Sequence, residues 1–192
     1  MRKVAVKRET AEVKISVRLN LDGKGNVKVV TGNRFLNHLL TTLARHSLID
    51  LEVKASGDLK HHLSEDIGLA LGEAVNKALG DKRGIRRFGS AHVPMDDSMA
   101  RAVIDLGGRA YPSIDLKIQS NEIEDLKTED IDHFFVSLAH SSKSNIHLTV
   151  LYGTNDHHKV EASTKALALA LREACSSELR ARKTIPRTKG EL

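Results

Sequence analysis

The sequence predicts an α+β fold made of two similar halves, each running β-β-α-β-α. Three observations predict it. A change from two-residue to helical hydrophobic spacing occurs twice along the chain. A stretch of letters also recurs, with Asn37-His38-Leu-Leu-Thr-Thr-Leu43-Ala44 lying over Asp132-His133-Phe-Phe-Val-Ser-Leu138-Ala139. Each copy is then followed by a strand pattern and a His-His-x-x-Glu. The separation of His38 from His61 matches that of His133 from His157 to within one residue. Such an ordered set points to duplication, with the two halves packing their helices on common ground.

The first half opens with alternation over Val13 to Leu19, and an Asp22-Gly23 turn leads to a second strand, Val27 to Val30. Leu36, Leu39, Leu40 and Leu43 then form one apolar helical stripe. A strand follows over Ile49 to Val53, and a long helix carries Leu63, Ile67, Ala70, Ala74 and Ala78 on one side. Gly80 is placed to end that helix. In the second half, strands are expected over Arg101 to Leu106 and Ile114 to Ile118, joined by a Gly107-Gly108 hairpin. A helix from about Glu129 to Ser141, a strand from Ile146 to Tyr152 and a helix starting near His157 complete the order. The expectation is one domain over 1–192 with repeats about 1–82 and 83–192.

Composition narrows the function. At 40% hydrophobic residues the chain has material for a core, and its longest apolar runs fall far short of the roughly 18 residues a membrane helix needs. The opening MRKVAVKRE is basic and alternating and lacks the apolar core of a signal peptide. The lone Cys175 gives no disulfide framework and suits a reducing, cytoplasmic interior. The net charge of +5 with only 3% aromatic residues leaves few stacking platforms for nucleic acid, whereas phosphate esters explain the excess cations equally well. Ten histidines exceed what a basic surface needs.

Their placement is specific. His61-His62-Leu-Ser-Glu65 and His157-His158-Lys-Val-Glu161 each open a helix. At about 100° per residue, positions i, i+1 and i+4 share one face of the helix. On the first helix that face points away from the Leu63/Ile67/Ala74 stripe, so these groups are not core residues. Two imidazoles and a carboxylate suit a divalent ion such as zinc, iron or manganese. One copy alone reads as a polar helix start; two copies at equivalent places predict a binuclear site. His38, opposite its own leucine stripe, and His147, in the strand before the second cluster, are the further donors expected. His133 corresponds to His38 but stands beside Phe134 and Phe135, so a packing role is favoured over that of a ligand. His46, His92 and His140 lack sequence partners and are read as surface or outer-layer groups.

An ordered series spans nearly the whole chain: Phe35-Leu-Asn-His38-Leu, His61-His62-x-x-Glu65-Asp66, Pro94-Met-Asp-Asp97, Gly108-Arg109, Gly153-x-Asn155-x-His157-His158-x-x-Glu161 and Thr188-Lys189-Gly190. Together they resemble the imidazoleglycerol-phosphate dehydratase family of histidine biosynthesis. The resemblance implies four helices packed between two four-stranded mixed sheets, an arrangement like that of a small ribosomal-protein domain. It implies trimers assembled into a shell of about two dozen subunits, closed symmetry being usual for homo-oligomers. Each active site, shared between subunits, would hold two manganese ions (Mn2+). The carry-over gives His38, His62, Glu65 and His158 to one ion and His61, His147, His157 and Glu161 to the other.

The implied hydro-lyase reaction converts imidazole glycerol phosphate to imidazole acetol phosphate. Glu161 and Glu12 match the acid–base carboxylates, Glu12 reaching a neighbouring subunit's site; read alone, Glu12 is a solvated strand-end charge. Arg87, Arg109, Lys165, Thr188 and Lys189, with Glu12, match substrate-facing positions. Read alone, Arg109 is a turn charge, Lys165 an exposed helix residue, and Arg86 an alternative to Arg87. Departures are a short Asp58-Leu59-Lys60 loop before His61, Leu63 for a common Thr, Asp97 for a common Glu and Arg187 for a usual Ser. The short loop is expected to supply fewer acceptors for orienting the imidazoles.

Overall fold

The computed structural model describes residues 2–181 and 184–186. The first half contains β1 (Lys3–Glu9), β2 (Val13–Asn20), β3 (Val27–Val30), α1 (Arg34–Ser47), β4 (Asp50–Gly57) and α2 (Lys60–Leu79). The second contains β5 (Phe88–Met95), β6 (Ser98–Asp105), β7 (Tyr111–Asp115), the short hairpin β8 (Glu122–Ile123) and β9 (Leu126–Lys127), α3 (Thr128–Ser141), β10 (Asn145–Tyr152) and α4 (Asp156–Cys175). Two four-stranded mixed sheets result, ordered β1-β2-β4-β3 and β5-β6-β10-β7. The orders are the same once the repeats are superposed, as duplication requires.

Layering follows from which faces are apolar. In β2 every second residue is buried, placing Val13, Ile15, Val17 and Leu19 under the helices while Lys14 and Arg18 face out. In β6 and β10 the buried set is Ala100, Ala102, Ile104 and Ile146, Leu148, Val150. The helices α1 and α2 lie on the first sheet and α3 and α4 on the second. The layers meet through α1 against α4 and α2 against α3, so four helices stand between two sheets. Gly68 and Gly72 allow the second contact: a Cβ on Gly68 would come within 2.6 Å of the Phe134 carbonyl oxygen, and one on Gly72 within 2.7 Å of the Leu138 oxygen.

Three expectations change. Each half begins with a further strand, β1 and β5, antiparallel to β2 and β6, making the order β-β-β-α-β-α before the small β8–β9 hairpin is counted. Gly107-Gly108 does not form a hairpin, because β7 pairs in parallel with β10, Ile114 opposite Leu148, and β10 separates it from β6. The strand there is Tyr111–Asp115, earlier than expected. Among the described residues no helix is long and apolar enough to cross a membrane. Cys175 is buried, and loss of solvation pushes its thiol up to about 12, leaving it inert.

Candidate metal centre

Both His-His-x-x-Glu segments fall in the first two turns of their helices. Asn155 caps α4, its Oδ1 accepting from the His158 N–H at 3.2 Å, whereas α2 begins at Leu59 without a side-chain cap. The β8–β9 hairpin ties the helix starts together. Asp125 accepts from the Arg34 and Phe35 N–H groups at the head of α1 at 2.8 and 2.9 Å, and its carbonyl accepts from Lys60 Nζ at 2.6 Å.

Two donor groups form, each built from one helix of either half. In the first, His38 on α1 meets His157 and Glu161 on α4; in the second, His61 and Glu65 on α2 meet His133 on α3. The donor atoms of each group lie within 4.8 Å of one another. Glu161 Oε2 is 3.1 Å from His38 Nε2 and 3.3 Å from His157 Nε2, and the carboxylate is only 9% exposed. Burial alone would raise the Glu161 acid, but Lys165, at 2.7 Å from Oε1, and His38 outweigh it and bring it down to about 2. Beside this group lies a cleft of about 430 Å3 lined by Arg34, Phe35, His38, Glu124, Asp125 and His157.

The imidazoles are oriented from behind. His61 Nδ1 lies 2.8 Å from Asp130, His62 Nδ1 2.9 Å from Asp58, His157 Nδ1 3.2 Å from Glu124 and His158 Nδ1 2.6 Å from Asp97. A carboxylate offers only lone pairs, so the shared proton sits on Nδ1 and the Nε2 lone pair faces outward. That is the arrangement by which metal-binding histidines are fixed, and the donor set therefore fits a divalent transition ion. The short loop before His61 does not remove this support. Its own Asp58 holds His62, and Asp130 from the other half holds His61. The hydrogen bond to Asp58 also raises the pKa of His62 above its ordinary value, because the carboxylate favours the protonated ring.

The remaining expected site residues are dispersed. His133 is exposed, its ring edge-on to His61 at 4.9 Å, so it is not the packing residue expected; Phe134 and Phe135 are buried in its stead. His147 lies on the exposed face of β10, stacked on Tyr111 at 5.8 Å, and joins neither group among the described residues. Glu12 Oε2 is 3.7 Å from His62 Nδ1. Arg109 is exposed in the loop before β7. Arg87 turns inward, its Nε and Nη2 donating to Asp105 at 2.6 and 3.0 Å and its Nη1 to the Pro186 carbonyl at 2.7 Å. Arg86 pairs with Glu173 at 3.1 Å. Thr188, Lys189 and Arg187 lie outside the described residues. His46 lies near Lys165 and Glu161, and burial, then Lys165, lowers its basicity. Sequence reasoning missed Asp130, Asp97, Glu124 and Asp58 as orienting groups; only Asp58, four residues before His62, carried a local signal.

Comparison with known proteins gives the family. The sequence pattern of the family described as imidazoleglycerol-phosphate dehydratase matches residues 31–171. The relative from Methanothermobacter thermautotrophicus is 50% identical over 195 residues, covering 100% of this chain and 98% of its own. One from Dehalococcoides mccartyi is 47% identical over 191 residues, covering 100% and 97%. Among solved structures, that from Pyrococcus furiosus superposes with a TM-score of 0.85 at 34% identity, over 97% of this chain and 100% of its own. That from Staphylococcus aureus gives 0.81 at 32% identity, over 91% and 99%. With a family match across most of its length and relatives nearly half identical end to end, the chain belongs to the imidazoleglycerol-phosphate dehydratase family of hydro-lyases.

Proposed function

We propose that this chain removes water from D-erythro-imidazole glycerol phosphate to give imidazole acetol phosphate, in the cytoplasm, as a step of histidine biosynthesis, using two manganese ions per active site. The observation that carries the reading is the set of four imidazoles each held at Nδ1 by a carboxylate, in mirrored pairs at the heads of α2 and α4. His38, His61, His62, Glu65, His147, His157, His158 and Glu161 would hold the metal. When bound, the ions supply Lewis-acid stabilisation of negative charge on the substrate's imidazole ring.

The chain's own groups then divide the work. A carboxylic acid depressed to about 2 is a weak base at neutral pH, so Glu161 serves as a permanent anion and ligand. Glu12, at the β1–β2 turn, lies 3.7 Å from His62 of its own chain and is the carboxylate that would take the carbon-bound proton, or protonate the departing hydroxyl, in a neighbouring subunit's site. Lys165 neutralises Glu161 and leaves donors for the substrate. Arg109, with Thr188 and Lys189, would take the phosphate. Arg87 links Asp105 to the Pro186 carbonyl, two residues before Thr188 in sequence, by donating to both.

The outward-facing His147 supports a shared site: it is exposed and joins neither group among the described residues, as expected of a ligand that completes a site across a subunit boundary. The expected assembly is a homo-oligomer of about 24 subunits built from trimers. The test is direct. Purified, manganese-loaded protein should convert imidazole glycerol phosphate, and His62→Ala should abolish the conversion; undiminished turnover in that variant would contradict the site.

A further inference from the structure

Duplication makes the outer faces of the two sheets, those turned away from the helices, directly comparable. Register fixes which positions correspond. In the first sheet Lys3 pairs with Asn20 and Asn20 with Asp50; in the second Phe88 pairs with Asp105 and Asp105 with Asn145. Carried along the strands, that register sets Lys3, Lys14, Arg18 and Lys28 against Phe88, Met99, Val103 and Ser113. The Arg18–Glu52 ion pair of the first sheet is matched by Val103 beside His147, whose ring stacks on Tyr111. One sheet shows water a charged face and its twin a largely apolar one. Phe88 and Tyr111 are 58% and 59% exposed, and Val103 40%. Burying apolar surface is favourable, and a contiguous patch of this kind marks a place where another surface packs.

We propose that copies of this chain pack against one another through the outer face of the second sheet, while the outer face of the first stays in water. The proposal rests on the reading of the chain as a homo-oligomer and names the surface that assembles it. Charge pattern and area both favour a second copy as the occupant. Arg101 lies opposite Thr149 on β10, and Thr149 opposite Asp115 on β7, so Arg101 and Asp115 share one cross-strand row about 10 Å apart. Neither makes a hydrogen bond or ion pair among the described residues. A symmetry-related copy would set Arg101 against Asp115 of the partner subunit, the self-complementary pattern that a closed homo-oligomer needs. Packing the first sheet in the same way would bring Lys3, Lys14 and Arg18 of both copies together, and like charges repel. Four strands of up to eight residues make a face of about 19 by 26 Å. Two such faces bury about 1,000 Å2 between them, the level at which contacts become specific.

Size in solution tests it, measured on the full-length, manganese-loaded protein by sedimentation and light scattering, with circular dichroism to follow the fold. Val103→Arg gives the second sheet the charge its twin carries and should shift the assembled mass down to a smaller species. Arg18→Val, the reverse exchange on the first sheet, should leave the mass unchanged. Arg101→Asp alone should also lower the mass. Adding Asp115→Arg in the same chain should restore it, a rescue that a loss of folding does not give. Wild-type mass retained by a folded Val103→Arg overturns this proposal alone. Where Val103→Arg does not fold, the charge exchange decides, and a double variant no larger than Arg101→Asp overturns the proposal. A wild-type chain that stays monomeric at every concentration overturns the homo-oligomer reading with it.

Discussion

Asp130 Oδ1 lies 2.8 Å from His61 Nδ1, a bond that crosses from one half of the duplicated chain to the other. The carboxylate is 1% exposed and sits in the first turn of α3, while the imidazole opens α2. Its direction decides which ring nitrogen is available. Asp130→Asn keeps the shape but replaces an acceptor by an ambiguous amide, so the Nε2 lone pair is no longer enforced. Manganese affinity should fall by about 10- to 100-fold with the circular dichroism spectrum unchanged. Equal affinity in a titration would show that His61 is oriented by something else.

The α2–α3 contact that creates this bond depends on Gly72. Replacing a mid-helix glycine by alanine ordinarily gains about 1 kcal/mol in helix propensity. Here the added Cβ meets the Leu138 oxygen and the Ser142 nitrogen at 2.7 Å each, both backbone atoms that cannot swing away. Overpacking of that kind costs about 1–3 kcal/mol, so Gly72→Ala should destabilise despite its better propensity. Denaturant unfolding measures the sign.

Asp50 gives a pH dependence. Its carboxylate accepts from the Lys24 and Asn26 N–H groups at 2.9 and 3.0 Å and from Asn20 Nδ2 at 3.1 Å, which brings its acid from the ordinary 3.8 down to about 2. A depressed acid stabilises the folded chain above its unfolded value and loses that contribution as pH falls through the folded one. The stability gap between wild type and Asp50→Asn should be full at pH 7, narrow below about pH 4 and close near pH 2. A gap that widens on acidification would reverse the assignment.

Asp97 anchors the head of α4 as Asp130 anchors His61. Its Oδ2 accepts from the Thr154 and Asn155 N–H groups at 2.6 and 2.9 Å, and its Oδ1 lies 2.6 Å from His158 Nδ1. Those contacts, led by the Asn155 N–H, hold its acid far below the usual carboxylate range. Asp97→Ala should lower both the melting temperature and manganese affinity, and ring-nitrogen NMR shifts should report a changed His158 tautomer. Neighbouring Asp96→Ala, 3.5 Å from His158 Nε2 and highly exposed, should do neither to a comparable degree.

Much of this was legible in the sequence because the signals are local. The helix stripes, the strands β2, β4, β6 and β10 and the His-His-x-x-Glu clusters all reflect spacing within a few residues. The strands β1 and β5 escaped because they lie at sheet edges, and in Lys3–Glu9 only Val6 is fully buried, so alternation among charged residues left little contrast. The Gly107-Gly108 hairpin was misread because a glycine turn gives no information on which strand will be the neighbour; here β10 intervenes. His133 was misread from its neighbours Phe134 and Phe135. On a helix adjacent residues point about 100° apart, so two buried phenylalanines leave the preceding histidine free to face α2. Asp130, Glu124 and Asp97 reach their histidines from 33 to 69 residues away, a distance no spacing rule covers.

Everything in the catalytic reading depends on paired rings and a glutamate from each half gathering cations. Manganese content per chain tests it most directly, measured by elemental analysis after saturation and removal of the excess. Two ions per wild-type chain are expected, falling close to none in the double variant His61→Ala/His157→Ala. Fewer than one ion on the wild type, or two retained by the double variant, would contradict it.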